Sequence, residues 1–557
     1  MGNGIRMRAT FASVAALFLA ACGGGDDSPP VASPPPVASP PPPPPPPPTV
    51  ACAVNRAAAL AYEERRLTTP LPASGANVTT NDETPVATRI LVDTGFDGFA
   101  PAFAAKLCAA GGTTQVTNLE QAVALVKAEG AALWRAAVDR VQRRRASPAA
   151  SVLPASDDRM LYWARVAMSK ELRQWAPSFA LSAAQREQLH WEFERASRGQ
   201  YDIDFPTGNN PAGKKYRRMI ISGFDVFTLG TPGTPNTGLR NGNPSGATAL
   251  EMDGREFTLP DGSTLHVQAY VLPVSYTPFL RGMQEDTLGP WFLPGPKRID
   301  ASITISQGSA NRFNLEAFNG RFTGPTSGND GIVFCPPGAD RLPSFRWAIG
   351  SVTAPDTDPI TDVGAGCNVT PPQRWVGYDA ATRWLKDFPP QFIESSNPHA
   401  AMTTGNTQSG IVRPPGATSQ GTEGFDVLWQ TSFSYFPDCN AVDTVNVPTH
   451  TVFNAMPDLS TIPRPNPAWC SRNGGGGSYL SNESAYRNTL LRDTFMLDIP
   501  AGHIHIPVMN NYHSQAITGQ PRNDNAITDS RYEAYRTAIV GQTKNLLVVV
   551  GNSLIFK

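Results

Sequence analysis

Nine consecutive prolines, Pro40 to Pro48, divide this 557-residue chain. Proline has no backbone N–H and a fixed φ, so such a run enters neither helix nor sheet and stays extended. Residues 23–50 therefore read as a tether and contribute nothing to a core. Some twenty residues at about 3.1 Å each hold a folded body roughly 60 Å from its anchor. About 500 residues remain beyond the prolines, enough for two to four domains and a large core. Net charge is −1 and no basic patch stands out, so nucleic acid is not an expected partner. No stretch beyond the tether reads as apolar enough to cross a membrane.

The segment before the tether supplies the anchor. Arg6 and Arg8 precede an apolar run from Phe11 to Leu19, and small residues then lead into Cys22. This is the pattern of a secretory signal peptide, too short to span a bilayer. Leu19-Ala20-Ala21-Cys22 resembles a bacterial lipoprotein box, which implies a lipid on Cys22, residues 1–22 as the signal, a membrane partner through that lipid, and a location in the cell envelope. The plainer alternative is a signal peptide cut near Ala21 with Cys22 incidental.

An exported chain with an even number of cysteines is expected to form disulfides. Apart from Cys22 there are six, and the sequential pairing Cys52–Cys108, Cys335–Cys367 and Cys439–Cys470 keeps each bridge inside one segment. Full pairing leaves no thiol for catalysis. No cysteine–histidine cluster has the spacing of a zinc site, and no metal is expected.

Residues 51–215 read as a mainly helical N-terminal region, with one strand-like run at Arg89-Ile90-Leu91-Val92. Thr117-Asn118-Leu119-Glu120 fits a capping box before a helix that Gly130 weakens or splits. A second helix is expected over Asp157–Trp175, and a third from Ser182, with Gln185 in the box position, to Gly199. From Tyr216 to the end at 557 the texture changes. Met219-Ile220-Ile221, His266 to Val274, Ala301 to Ile305, Gly502 to Pro507 and Asn545 to Val550 read as strands separated by helix-compatible stretches. That pattern predicts an α/β fold, an open twisted sheet flanked by helices. Gly- and Pro-rich segments at about 323–470 read as long insertions.

Several separated patches then resemble one family. "MIISGFDVF" (219–227) is similar to the strand and turn that open the pyroglutamyl peptidases, and Asn243-Pro244 follows as it does there. Leu272-Pro273-Val274 resembles their second strand end. "ITISQGSANR" (303–312) matches a strand whose Gln is Gln307 here, with Glu316 nine residues on. Gly476-Gly477-Ser478-Tyr479-Leu480-Ser481-Asn482, with Tyr486, matches their nucleophile motif in register. His503-Ile504-His505-Ile506-Pro507 resembles the segment that carries their catalytic histidine. A second "GFDGF" at 95–99 lacks these partners.

The resemblance implies removal of an N-terminal pyroglutamyl residue from peptides by a Cys-His-Glu hydrolase with no metal or organic cofactor. Carried over by position, His505 is the base, Glu316 orients it, and Phe224, Phe227 and Gln307 form the lactam pocket. At the nucleophile this chain has Ser481 where the family has Cys, and residue 326 is Thr where the family has an Arg; Arg321 is only five residues after Glu316, and no Arg is carried over.

Read without the family, Ser481 is a helix cap or a nucleophile activated by a base. His503 and His505 alternate along a strand and share a face. As a pair they are a metal site lacking an apparent third ligand, or structural. Glu316 is by default a solvated carboxylate, Phe224 and Phe227 core aromatics, and Asp225 a turn residue. Two functions follow: a peptidase or amidase using Ser481, His505 and Glu316, or an inactive peptide- or envelope-binding module on the same fold. A third is a scaffold lipoprotein working through its tether and stapled loops.

Overall fold

The computed structural model describes residues 52–108, 116–324, 326–331, 390–417, 423–438, 441, 443–509, 512–513 and 522–556. The signal, the tether, Cys22, Cys335, Cys367 and Cys439 lie outside them. Cys52 and Cys108 form a disulfide with 5.5 Å between their α-carbons. Cys470 is also disulfide-bonded.

The first region is helical. Strand β1 (Ala53–Val54) pairs antiparallel with β2 (Trp175–Ala176). Helices α1 (Val86–Thr94), α2 (Phe99–Leu107), α3 (Leu119–Val141), α4 (Arg159–Gln174) and α5 (Ala183–Ala196) make up the rest. Arg89–Val92 is therefore helix, not strand. Val86, Ala87, Ile90, Leu91 and Thr94 are its buried residues, a 3.6-residue stripe rather than an alternation. Helix α3 is capped by Asn118, one residue later than the expected box, through the Gln121 N–H at 2.9 Å. Gly130 does not split it. A Cβ there would lie 2.8 Å from Ala196 Cβ and 2.9 Å from Ser197 N, so the glycine lets α3 and α5 cross closely. Helix α5 has the expected reciprocal box between Ser182 and Gln185.

The second region is an α/β sheet of seven strands. Its members are β3 (Tyr216–Phe224), β4 (Glu256–Thr258), β5 (Thr264–Leu272), β6 (Ala301–Gln307), β7 (Arg312–Glu316), β10 (Asp426–Gln430) and β14 (Ala501–Ile506). Two short strands, β8 (Phe318–Gly320) and β9 (Phe392–Glu394), pair beside it, and β11 (Phe433–Phe436), β12 (Val445–Val447) and β13 (Cys470–Asn473) form a three-stranded sheet. The order in the main sheet is β10-β7-β14-β6-β3-β5-β4. Strands β5, β3, β6 and β14 run parallel, and β7 runs antiparallel to β14. Strand β10 comes from the segment read as an insertion, yet it completes the sheet with Gln430 opposite Glu316.

Helices α6 (Pro244–Met252), α7 (Tyr276–Leu280), α8 (Met283–Phe292), α9 (His399–Thr404), α10 (Leu480–Thr494) and α11 (Ser530–Ser553) flank the sheet. Ile221, Ile303 and Ile504 face α6 and α11, whereas Ile220 shares a core with Leu288, Leu480 and Leu491 of α8 and α10. Asn545–Val550 is thus helix, not strand. Tyr535, Ile539, Gln542, Leu546 and Val550 are buried at helical spacing, and the Val run sits within that stripe. With the turn after it, this helix spans 530–556 and is long and apolar enough to cross a membrane, which corrects the expectation of no such stretch. In the fold it packs along α6. One continuous hydrophobic core runs from Leu71 to Leu554, through both the N-terminal helices and one face of the sheet.

Candidate active site

Strand alternation sets the site. Ile504 and Ile506 point into the core under α6 and α11, so His503 and His505 lie on the face that α10 covers. Asn488 of α10 is hydrogen-bonded to Ser302 on that same face, at 2.6 Å side chain to side chain. The two imidazoles are neighbours, 4.8 Å between centroids, but their environments differ. His503 is fully enclosed, with Nδ1 bonded to Thr304 Oγ1 and Nε2 to Ser306 Oγ, each at 2.8 Å. Burial, and then the neighbouring His505, push its pKa well below the usual imidazole value. Both ring nitrogens are committed, so His503 is a structural residue.

His505 Nδ1 is bonded to Glu316 Oε1 at 2.6 Å. Glu316 is the last residue of β7 and is fully buried, while the His505 side chain keeps 11% of its surface exposed. Burial raises the Glu316 pKa, and the His505 charge and hydrogen bond oppose that rise. Gly308 makes room for the imidazole: a Cβ there would sit 2.7 Å from His505 Cγ and 2.9 Å from Cδ2. With Nδ1 engaged by the carboxylate, Nε2 is the ring nitrogen left without a carboxylate partner.

The four glycines 474–477 lie against the same carboxylate. Gly474 and Gly477 exchange two backbone hydrogen bonds of 3.0 Å, and Gly477 takes a positive φ of 80°. A Cβ on Gly475 would strike Glu316 Oε2 at 2.4 Å. A Cβ on Gly476 would lie 3.3 Å from that oxygen and 3.4 Å from the Asn482 N. The glycine run is thus the contact surface between Glu316 and the start of α10, and side chains there would separate them. Asn482 fixes the turn from the other side. Its Nδ2 donates to Gly320 O at 2.6 Å and to Phe322 O at 3.1 Å, and its Oδ1 accepts from the Gly320 N–H at 2.9 Å.

Helix α10 begins at Leu480 with Tyr479 as its N-cap residue, so Ser481 is in the first turn and does not cap the helix. Among the described residues, the Leu480, Ser481 and Asn482 amides meet no hydrogen-bond acceptor. They are the open N–H groups of a helix N-terminus. Ser481 is partly exposed, and its Oγ makes no hydrogen bond to His505. The Glu316–His505 link is therefore closed and the Ser481–His505 link is open.

Phe227 packs on Tyr479 at 5.4 Å, and Tyr276 meets Tyr479 edge-on at 5.8 Å, so an aromatic wall stands beside the start of α10. Phe224 is deeper, stacked 6.3 Å from Phe279 in the core that includes Leu480. Gln307 ends β6 opposite Ile506. Asp225 does more than turn the chain. Its Oδ2 binds Arg165 of α4 at 2.8 Å and Arg198 at 2.7 Å, tying the helical region to the sheet. Arg321 follows β8 and is buried, its N–H bonded to Gln391 O.

The sequence did not single out Glu483 and Arg487. Arg487 is fully buried between Glu483 at 2.9 Å and Glu285 at 2.8 Å, and Thr323 also binds Glu483. Their i,i+4 spacing was visible, but only burial separates such a pair from a solvated one. Among the described residues no group of three or more His, Cys, Asp or Glu side chains is arranged to hold a metal.

Residues 218–510 match the family model for the PA0049 C-terminal domain, and residues 44–194 match that for the PA0049 N-terminal domain. The uncharacterized protein PA0049 of Pseudomonas aeruginosa is 66% identical over 503 residues, covering 90% of each chain. Among solved structures, pyrrolidone carboxyl peptidase of the hyperthermophile Pyrococcus furiosus is similar over 60% of this chain and 99% of that one, at 14% identity and a TM-score of 0.30. A mutant of that enzyme gives 15% and 0.29 over the same shares. With both domain models matched in order and a relative this similar along nearly its whole length, the chain belongs to the PA0049 family.

Proposed function

We propose that this chain is a cell-envelope hydrolase of peptide or amide bonds that works through Ser481. The observation that carries the reading is the buried Glu316–His505 pair, closed at 2.6 Å against the glycine loop that leads to Ser481. Glu316 holds the Nδ1–H tautomer, so Nε2 has the free lone pair. Nε2 takes the Ser481 Oγ proton as Oγ adds to the substrate carbonyl. The open amides at the start of α10 stabilise the oxyanion. His505 then passes the proton to the leaving amine, and water releases the acyl group by the same steps. Phe224, Phe227 and Gln307 bound the acyl pocket, as the pyroglutamyl-peptidase resemblance implies. A lipid on Cys22 anchors the chain to a membrane, with the proline tether as spacer.

A second reading is a catalytically silent module that binds peptides on this fold. The open Ser481–His505 link favours it, as does Ser where the pyroglutamyl peptidases have Cys, because a hydroxyl needs more help from its base than a thiol. A fluorophosphonate probe separates the two. Labelling of the wild type that is lost in Ser481→Ala and in His505→Ala is the expected result. No labelling across several probes would establish the binding module instead. Cleavage of a pyroglutamyl peptide gained in Ser481→Cys would show that the nucleophile alone had changed.

A further inference from the structure

Where guanidiniums cluster inside this molecule, carboxylates match them. Arg165 and Arg198 face Asp225 and Glu194. Arg159 and Arg536 face Asp157 and Glu533. Arg487 lies between two glutamates. Arg240 and Arg522 are matched less fully, as is the buried Arg140, whose guanidinium donates only to carbonyls. Arg240 and Arg522 share one carboxylate oxygen, Asp524 Oδ1, at 3.3 and 2.6 Å, and among the described residues neither makes a second ion pair. Asp529 adds a second negative charge near Arg240, and its two oxygens accept the N–H groups of Tyr532 and His513. Among the described residues Arg522 bonds only through Nε, to Asp524, so both its Nη groups are open.

Arg240 is nearly enclosed, with 3% of its side chain exposed. Its Nη1 donates to the Asn523 and Ala526 carbonyls, its guanidinium lies 3.7 Å above the Tyr512 ring, and its Nε has no partner. Burial lowers its pKa, against the opposing pull of Tyr512, Asp524 and Asp529. Arg522 is the accessible member, 42% exposed. Both open onto a cavity of about 260 Å³ whose other walls are Thr237, Gly238, Asn241, Tyr512 and His513, with no acidic side chain among them.

The cavity is lined by segments that follow two strands of the candidate site. Asn241 Nδ2 donates to Thr228 Oγ1 at 3.1 Å, and Thr228 follows Phe227 beyond the end of β3. Tyr512 and His513 follow β14, the strand that carries His505. Ligands of open α/β sheets bind beyond the carboxyl ends of the strands.

We infer that this cavity is a subsite for a carboxylate carried by the substrate, held by the Arg240–Arg522 pair. The inference rests on the hydrolase reading for the word substrate, but not for the binding. The planar Arg522 guanidinium, with both Nη groups open, suits a carboxylate.

The test uses the full chain with Ser481→Ala, so that binding is measured without turnover. Succinate and inorganic phosphate serve as probes by titration calorimetry. Saturable succinate binding that weakens about tenfold in Arg522→Gln, at an unchanged melting temperature, is expected. Thr237→Val is the second variant, expected to weaken succinate severalfold, and it keeps both arginines should Arg522→Gln fail to fold. No saturable succinate binding, binding indifferent to both variants, or binding of phosphate alone would overturn the subsite. On wild-type chain, a peptide ending in Asp and its Asn-amide counterpart separate the two ideas. Turnover of both with equal kcat/KM overturns the subsite and leaves the hydrolase standing. Succinate binding with no turnover of either overturns the hydrolase and leaves the anion site standing.

Discussion

The same pentapeptide pattern occurs twice in this molecule with opposite outcomes. Gly95-Phe96-Asp97-Gly98-Phe99 joins two helices. Gly95 ends α1 with φ 72°, Gly98 precedes α2, Phe96 and Phe99 stack on each other at 5.1 Å, and Asp97 points to solvent. Gly223-Phe224-Asp225-Val226-Phe227 ends a central strand. There Gly223 is needed for space, since a Cβ would lie 2.2 Å from Ser245 O. Asp225 is buried under two arginines, and the two phenylalanines part, one to the core and one to Tyr479. Five residues of local sequence fix neither backbone nor burial. The neighbours supplied by the sheet, α6 and the N-terminal helices decide.

The largest difference should appear at the aspartates. Asp225→Ala leaves Arg165 and Arg198 buried with only Glu194 between them, and removing one member of a buried ion pair costs about 3–5 kcal/mol. Asp97→Ala should stay within about 0.5 kcal/mol. Denaturant unfolding of both variants checks this, and equal costs would break the comparison. At the glycines the effect is smaller and differs in kind. Gly223→Ala forces a methyl against backbone and should cost about 1–3 kcal/mol. Gly95→Ala costs about 1 kcal/mol because the left-handed φ is strained for any Cβ. Gly98→Ala, with nothing within 4 Å of the new methyl, should be near neutral. Urea midpoints in that order would establish space at one copy and backbone conformation at the other.

The two copies also explain what could be read from sequence. Signals satisfied within one element were legible: the Ser182–Gln185 box, the stripe of α4, and the strands at β3, β5, β6 and β14. Short apolar runs were not. Arg89–Val92 and Asn545–Val550 are rich in branched residues, but each is one turn or so of a longer helical stripe. Strand β10 was hidden because its partner, β7, lies more than a hundred residues away across a Gly- and Pro-rich segment. In the candidate site, the positions of Ser481, His505 and Glu316 could be named from motif spacing. The Glu316–His505 bond, the role of the glycines as its contact surface, and the enclosure of His503 by two hydroxyls all depend on strand register. No single segment displays that.

A last contrast separates the copies by pH. Glu194 joins the Asp225 cluster but not the first copy. Its burial opposes ionisation, yet Arg198 and Arg165 outweigh that and hold its pKa down to about 2. Its ordinary value, taken as that of the unfolded chain, is 4.5. A carboxyl whose folded pKa is depressed binds its proton first in the unfolded chain. The stability it lends is complete above pH 4.5 and is lost as pH falls toward 2. With 23% of the side chain exposed, the loss should be roughly 1–2 kcal/mol. Unfolding midpoints measured from pH 6 to 2.5 should fall less steeply in Glu194→Gln than in wild type. If Glu194→Gln keeps the full acid slope, the cluster does not hold Glu194 ionised, and the electrostatic half of the contrast between the two pentapeptides fails while the steric half at Gly223 stands.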